Sequence, residues 1–395
     1  MAQRASRFTQ WPQNCDFQIA LAAMYRFMSS SNRRALFASL LVLLSSAVKA
    51  DKLDDNLQTV WESLWDQRGT PRNLIRWDKP LTYSIGGYDF ERHQAHIQKA
   101  MREAAQQTQL EITEVSTQTG GKDAVMLTFE VVRNDALEDS MPCITTSKWA
   151  NGALTSVVVK MQSKSAWRCT FHEVMHAMGI AGHPSGRTVL SYFPYRRDEF
   201  MALDQLMLKA WYGPGMPKNA TPLEALLVLA NSVAAQADLG VSQEQAVERT
   251  RIFNLSVVEQ VKALALGKGE VPAIVQRSGR ASTTHIQAAR ALAAYHLAQA
   301  YLNGTIVARD MAASSEWFRV SAHYGYSAGQ VMWARALVKG DGIAMDRSAA
   351  HGWLRLAANS NNPVARTELD TLEKSMPPEQ LETARLAPAP ALSQP

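Results

Sequence analysis

His172-Glu173-Val174-Met175-His176-Ala177-Met178-Gly179-Ile180-Ala181-Gly182-His183-Pro184 carries three of the nine histidines in the chain. His172 and His176 are four positions apart, so on a helix both imidazoles face one side. That spacing suits two ligands of a tetrahedral zinc ion. Glu173 follows the first histidine and stands beside such an ion, where it can take a proton from a water. Composition alone yields H-E-x-x-H in about one such chain in a hundred. Gly179 can end the helix by adopting a positive φ. The chain can then turn back and bring His183 in as a third ligand. The carboxylates of Asp198, Glu199 or Asp204 are the alternatives for that third position.

Upstream, Leu81–Ile85 reads as a strand, 90–110 as a helix with Ile97, Met101, Ala104 and Ala105 at helical spacing, and 111–116, 124–132 and 153–161 as short strands. A helix from about Ser165 to Gly179 follows the last strand. The expected fold is α+β: a twisted mixed sheet with one backing helix and one active-site helix. The 153–161 strand is expected at the sheet edge, where an extended peptide substrate could add to it.

The pattern resembles that of the metzincin zinc metallopeptidases, H-E-x-x-H-x-x-G-x-x-H. Thr188-Val189-Leu190-Ser191-Tyr192 resembles the family's turn beneath the metal, and 199–213 its closing helix. The resemblance covers about 75–215. It implies a zincin-like catalytic domain with one Zn²⁺ per chain on His172, His176 and His183, and Glu173 as general base. It also implies that Tyr192 can bind the metal or steady the oxyanion. Two departures stand out. The family's third ligand falls six residues after the second histidine, which here is Gly182, and His183 comes one later. Leu190 stands where the family has Met.

Farther along, Ala298, Gly304, Asp310, Trp317 and Ala322 match Ala334, Gly340, Asp346, Trp353 and Ala358, each 36 residues on. A fixed period of this size signals stacked helix pairs. The spacing resembles Sel-one-like repeats, relatives of tetratricopeptide repeats, which implies a protein-binding surface. A purely stabilising appendage is the alternative. Ser242-Gln243-Glu244-Gln245 fits a helix-starting capping box. His323, His351, Trp317 and Trp353 read as structural parts of the repeats, and His93 and His96 as solvated.

Residues 35–48 form fourteen uncharged, mostly apolar positions after Arg33-Arg34. This reads as a secretory signal with cleavage after Ala50; an uncleaved anchor is the alternative. A start at Met24 or Met28 would give it ordinary length. The run is too short to span a bilayer comfortably, so no stable membrane span is expected after cleavage. The expected compartment is periplasmic or extracellular. The first fifty residues hold six basic residues and one acidic, so the formal net charge of +5 belongs to the leader. A remainder with no net charge argues against nucleic-acid binding.

Export leaves Cys143 and Cys169, which pair readily in an oxidising compartment. Two free buried thiols, or a Cys143 thiolate blocking the metal, are the alternatives. The domains expected are a leader (1–50), a metallopeptidase domain (51–215), a helical connector (216–293), the repeats (294–375) and a partly disordered tail (376–395). The function expected is a zinc endopeptidase whose substrate is a peptide or protein, with a protein partner on its repeats. The alternative is a catalytically inactive binding protein that acts through those repeats. A cell-wall hydrolase is compatible with the compartment, but no segment resembles a glycan-binding one.

Overall fold

The computed structural model describes residues 52–66, 70–116, 125–191, 198–268 and 283–392. The expected signal at 1–50 and Tyr192 lie outside these. The described residues form a small five-stranded sheet and twelve helices. None of these helices is long and apolar enough to cross a membrane.

The first described element is helix α1 (Lys52–Ser63), whose Leu53, Leu57 and Val60 are fully buried. Then come β1 (Leu81–Gly87), α2 (Glu91–Thr108), β2 (Ile112–Glu114), β3 (Leu127–Val132), β4 (Cys143–Ala150), β5 (Ala153–Gln162) and α3 (Ser163–Ala177). The sheet order is β2-β1-β3-β5-β4. The first four of these strands run parallel, and β4 is antiparallel to β5. Strand period two is plain in β3, where Leu127, Phe129 and Val131 are buried and their neighbours less so. Ile97, Ala100, Met101 and Ala104 of α2 join the same core.

The sheet edge is not where the sequence suggested. β5 is hydrogen-bonded on both sides, with Val159 opposite Phe129 of β3 and Thr145 of β4. An interior strand has no free backbone groups for a substrate. The edge is β4, Cys-Ile-Thr-Thr-Ser-Lys-Trp-Ala, whose polar side chains are largely solvated. Asn151 and Gly152, both at positive φ, turn β4 back into β5.

Beyond the sheet come α4 (Ala202–Tyr212), α5 (Pro222–Ala234) and α6 (Gln243–Ala265). The Ser242–Gln245 capping box closes at the start of α6, with both reciprocal bonds formed. The helical stack follows: α7 (Thr283–Asn303), α8 (Met311–His323), α9 (Ser327–Lys339), α10 (Arg347–Asn359), α11 (Pro363–Ser375) and α12 (Pro378–Leu386). The 36-residue matches do the same work twice. Gly304 and Gly340 follow α7 and α9 at φ +71° and +74°. Asp310 and Asp346 cap α8 and α10 by accepting from the N–H three residues on. Ala298 and Ala334 are fully buried.

One apolar core runs from Leu53 through the sheet and α4–α7 to Val320 on α8, and a second holds Ala322 to Ala384.

Candidate metal centre

Helix α3 begins directly after β5 and carries His172, Glu173 and His176 beneath the sheet. Its C-terminal carbonyls are all taken up. The Trp77 indole N–H donates to Ala177 O at 2.9 Å, and the Tyr212 hydroxyl donates to Met178 O at 2.9 Å. Gly179 at φ +98° reverses the chain, and a Cβ there would meet Ile75 O at 2.1 Å. Only glycine fits this turn.

The reversal brings His183 back onto the helix. The Nε2 atoms of His172, His176 and His183 stand 3.0–3.1 Å from one another. His172 Nδ1 lies 2.8 Å from Val189 O, and His176 Nδ1 lies 2.7 Å from Ile180 O. A carbonyl only accepts, so Nδ1 carries the proton in both rings and Nε2 keeps its lone pair. Lone pairs this close repel unless a cation or proton lies between them. Burial and the neighbouring imidazoles hold His176 well below the ordinary histidine range and bring His183 down to about 3. Both rings are therefore neutral near pH 7, the form that ligates metals. Three corners of a tetrahedron around an ion held at about 2.0–2.1 Å are roughly 3.3 Å apart, close to the spacing here. The donor set fits zinc.

The extra residue before His183 has a steric cause. Gly182 donates its N–H to Ser63 O at the end of α1 at 3.1 Å. A Cβ on Gly182 would meet the Glu62 and Ser63 backbone at 2.5 Å. No side chain fits at Gly182, six residues after His176, and the third imidazole of the cluster belongs to the next residue. Glu62, itself buried, fixes the loop farther on: its carboxylate accepts from Ser185 N at 2.7 Å and Ser185 Oγ at 3.0 Å. Neither α1 nor Glu62 was singled out from the sequence; the signal available was a short amphipathic run with Leu53, Leu57 and Val60.

Glu173 is buried outside the histidine cluster. Its carboxylate accepts from Thr145 Oγ1 of β4 at 2.6 Å. Burial raises its carboxyl above the ordinary range, against the pull of His172 and Thr145. Cys143 at the start of β4 is disulfide-bonded to Cys169 of α3, with Cα atoms 6.4 Å apart. Both sulfurs and a Glu173 carboxylate oxygen lie within 4.8 Å of one another. The disulfide removes the readings of free thiols and of a Cys143 thiolate on the metal.

The carboxylates that could have replaced His183 are engaged or distant. Asp204 is fully buried and accepts from Thr188 Oγ1, from Val189 N at 3.2 Å and from Met201 N at 2.9 Å. It thereby fixes the carbonyl that orients His172. Asp198 and Glu199 are exposed and are not part of the histidine cluster. Leu190, at the family's Met position, is fully buried. His93 and His96 are not simply solvated. His93 is buried, 3.3 Å from Ser163 Oγ, and His96 stacks on Trp167. His351 is buried against Glu373 at 2.8 Å, and His323 packs edge-on to Trp353.

No family model matches the chain, and no curated protein matches it. Solved structures similar to part of it include two repeat proteins. One is a Sel1 repeat protein from Oxalobacter formigenes, 23% identical, covering 37% of this chain and 97% of that one, with a TM-score of 0.21. The other is a protective antigen of uropathogenic Escherichia coli displaying an SLR fold. It is 20% identical and covers 56% of this chain, with a TM-score of 0.24; the chain spans 44% of its length.

Proposed function

We propose that this chain is an exported zinc-dependent peptidase of metzincin type, with a helical-repeat module that binds a protein partner. The observation that carries the peptidase reading is the convergence of three Nε2 atoms at 3.0–3.1 Å, with the lone pairs of two of them, on His172 and His176, fixed by backbone carbonyls at Nδ1. His172, His176 and His183 would hold the ion. Bound there, zinc would supply Lewis acidity and bring the pKa of a water towards 7. Glu173 takes the proton of the attacking water and hands it to the leaving amine. Thr145 keeps the carboxylate aimed while it does so. The outer edge of β4 has no strand partner among the described residues, so an extended substrate can pair with it. The disulfide supports an oxidising compartment.

A second reading is a binding protein that works through its repeats alone. The helix pairs at the 36-residue period favour it, and it requires no metal. The Glu173→Gln variant separates the two. Under the peptidase reading it keeps its zinc while casein hydrolysis falls by about 10²–10⁴-fold. If zinc-loaded wild type fails to cleave casein or a peptide library, the binding reading stands alone.

A further inference from the structure

The chain's own C-terminal segment lies across the repeats as a ligand would. Residues 387–392 read Ala-Pro-Ala-Pro-Ala-Leu. Ala387 has φ −61° and ψ 140°, close to polyproline II values. Arg355 of α10 donates one guanidinium N–H to Arg385 O at 2.8 Å and another to Ala387 O at 2.6 Å. Gly352 sits inside α10, where glycine costs helix stability. The absent Cβ would stand 3.3 Å from Cγ and Cδ of Pro390. His323 of α8 is hydrogen-bonded to the Ala391 backbone. A Cβ on Gly325 would stand 3.6 Å from a Cδ of Leu392.

These contacts have the character of peptide recognition. Main-chain carbonyls are gripped by fixed donors, and a glycine makes room for a proline ring. The segment is held lightly: Leu392 is 55% exposed.

We propose that the groove across α8 and α10 is a binding site for extended alanine–proline segments of a partner protein, and that residues 387–392 occupy it in cis as a displaceable competitor. The proposal rests on the repeats being a binding module and is independent of the histidine site. A tethered segment has an effective concentration of order millimolar, so the cis tail weakens binding in trans without abolishing it.

The probe is a fluorescent peptide carrying residues 385–392, titrated by anisotropy into full-length protein. Releasing the tail by Pro388→Ser with Pro390→Asp should tighten binding about tenfold over wild type. Adding Gly352→Leu, which fills the groove, or Arg355→Ala, which removes its donors, should weaken it at least tenfold. Two groove variants guard against misfolding of either. Equal affinity in wild type and tail-released protein, absence of binding, or equal binding of a peptide with serine for both prolines would overturn the proposal. None of these results would bear on binding at other faces of the stack. A wild-type dimer that dissociates on tail release would assign the groove to a second copy's tail and overturn the cis arrangement.

Discussion

Glu62 shows how a residue far from the motif in sequence can govern the site. The third histidine stands on a loop that cannot rigidify itself, because Gly182 and Gly186 pack against α1 with no room for a Cβ. Its fixed points are the Ser63 carbonyl and the Glu62 carboxylate, which takes both donors of Ser185. Removing that acceptor gives both donors of the exposed Ser185 to water and unties the loop from α1. Supporting bonds of this kind change metal affinity by about 10–100-fold. Glu62→Ala should therefore release zinc to a chelator at least tenfold faster than wild type. Glu62→Gln keeps an acceptor and should fall between the two. Release at the wild-type rate in Glu62→Ala would show that α1 does not support the third ligand.

Among the elements, β4 does most to connect the fold with the site. It closes the sheet, supplies Thr145 to Glu173, and is tied to α3 by the disulfide. Cross-linking residues 26 apart contributes about 3 kcal/mol on loop-closure entropy. The double variant Cys143→Ser, Cys169→Ser should lose about that much in urea unfolding, and an unchanged midpoint would contradict the role given to the bridge. β4 was also the element least visible beforehand. Leu127, Phe129, Val157 and Val159 announce buried strands by their period, whereas Thr145, Thr146, Ser147 and Lys148 bury little and carry no such signal. Without β4, β5 reads as the edge. α1 went unread for a different reason: its worth lies in contacts with residues more than a hundred positions away, which local pattern does not reveal. The repeats and the H-E-x-x-H helix were legible because both are periodic. The position of His183 was legible only as a choice among candidates, since the clash that excludes a side chain at Gly182 exists only once α1 is packed against it.

At the scale of the molecule, the sheet, α1 and the helices up to α8 share one core. His296 on α7 marks the join. It is buried, with Nε2 3.4 Å from Pro71 O and Nδ1 3.2 Å from Gln299 Oε1. Burial brings its pKa down to about 4, outweighing those bonds and the Glu224 charge. The unfolded ring takes its proton near pH 6.5. Between these values the unfolded chain binds the extra proton, so folding stability falls as the pH drops from about 6.5 towards 4. The full effect is roughly 3 kcal/mol. The difference between wild type and His296→Gln should therefore narrow with acidification over that window, and a pH-independent difference would contradict the assignment. The central claim remains the three-histidine metal centre. It is tested most directly by elemental analysis of zinc per chain in purified protein, expressed with zinc and without chelator, beside the His183→Ala variant. The account predicts one zinc in wild type and a large loss in the variant. Zinc retained equally in both would move the third ligand away from His183, and zinc in neither would contradict the metal centre altogether.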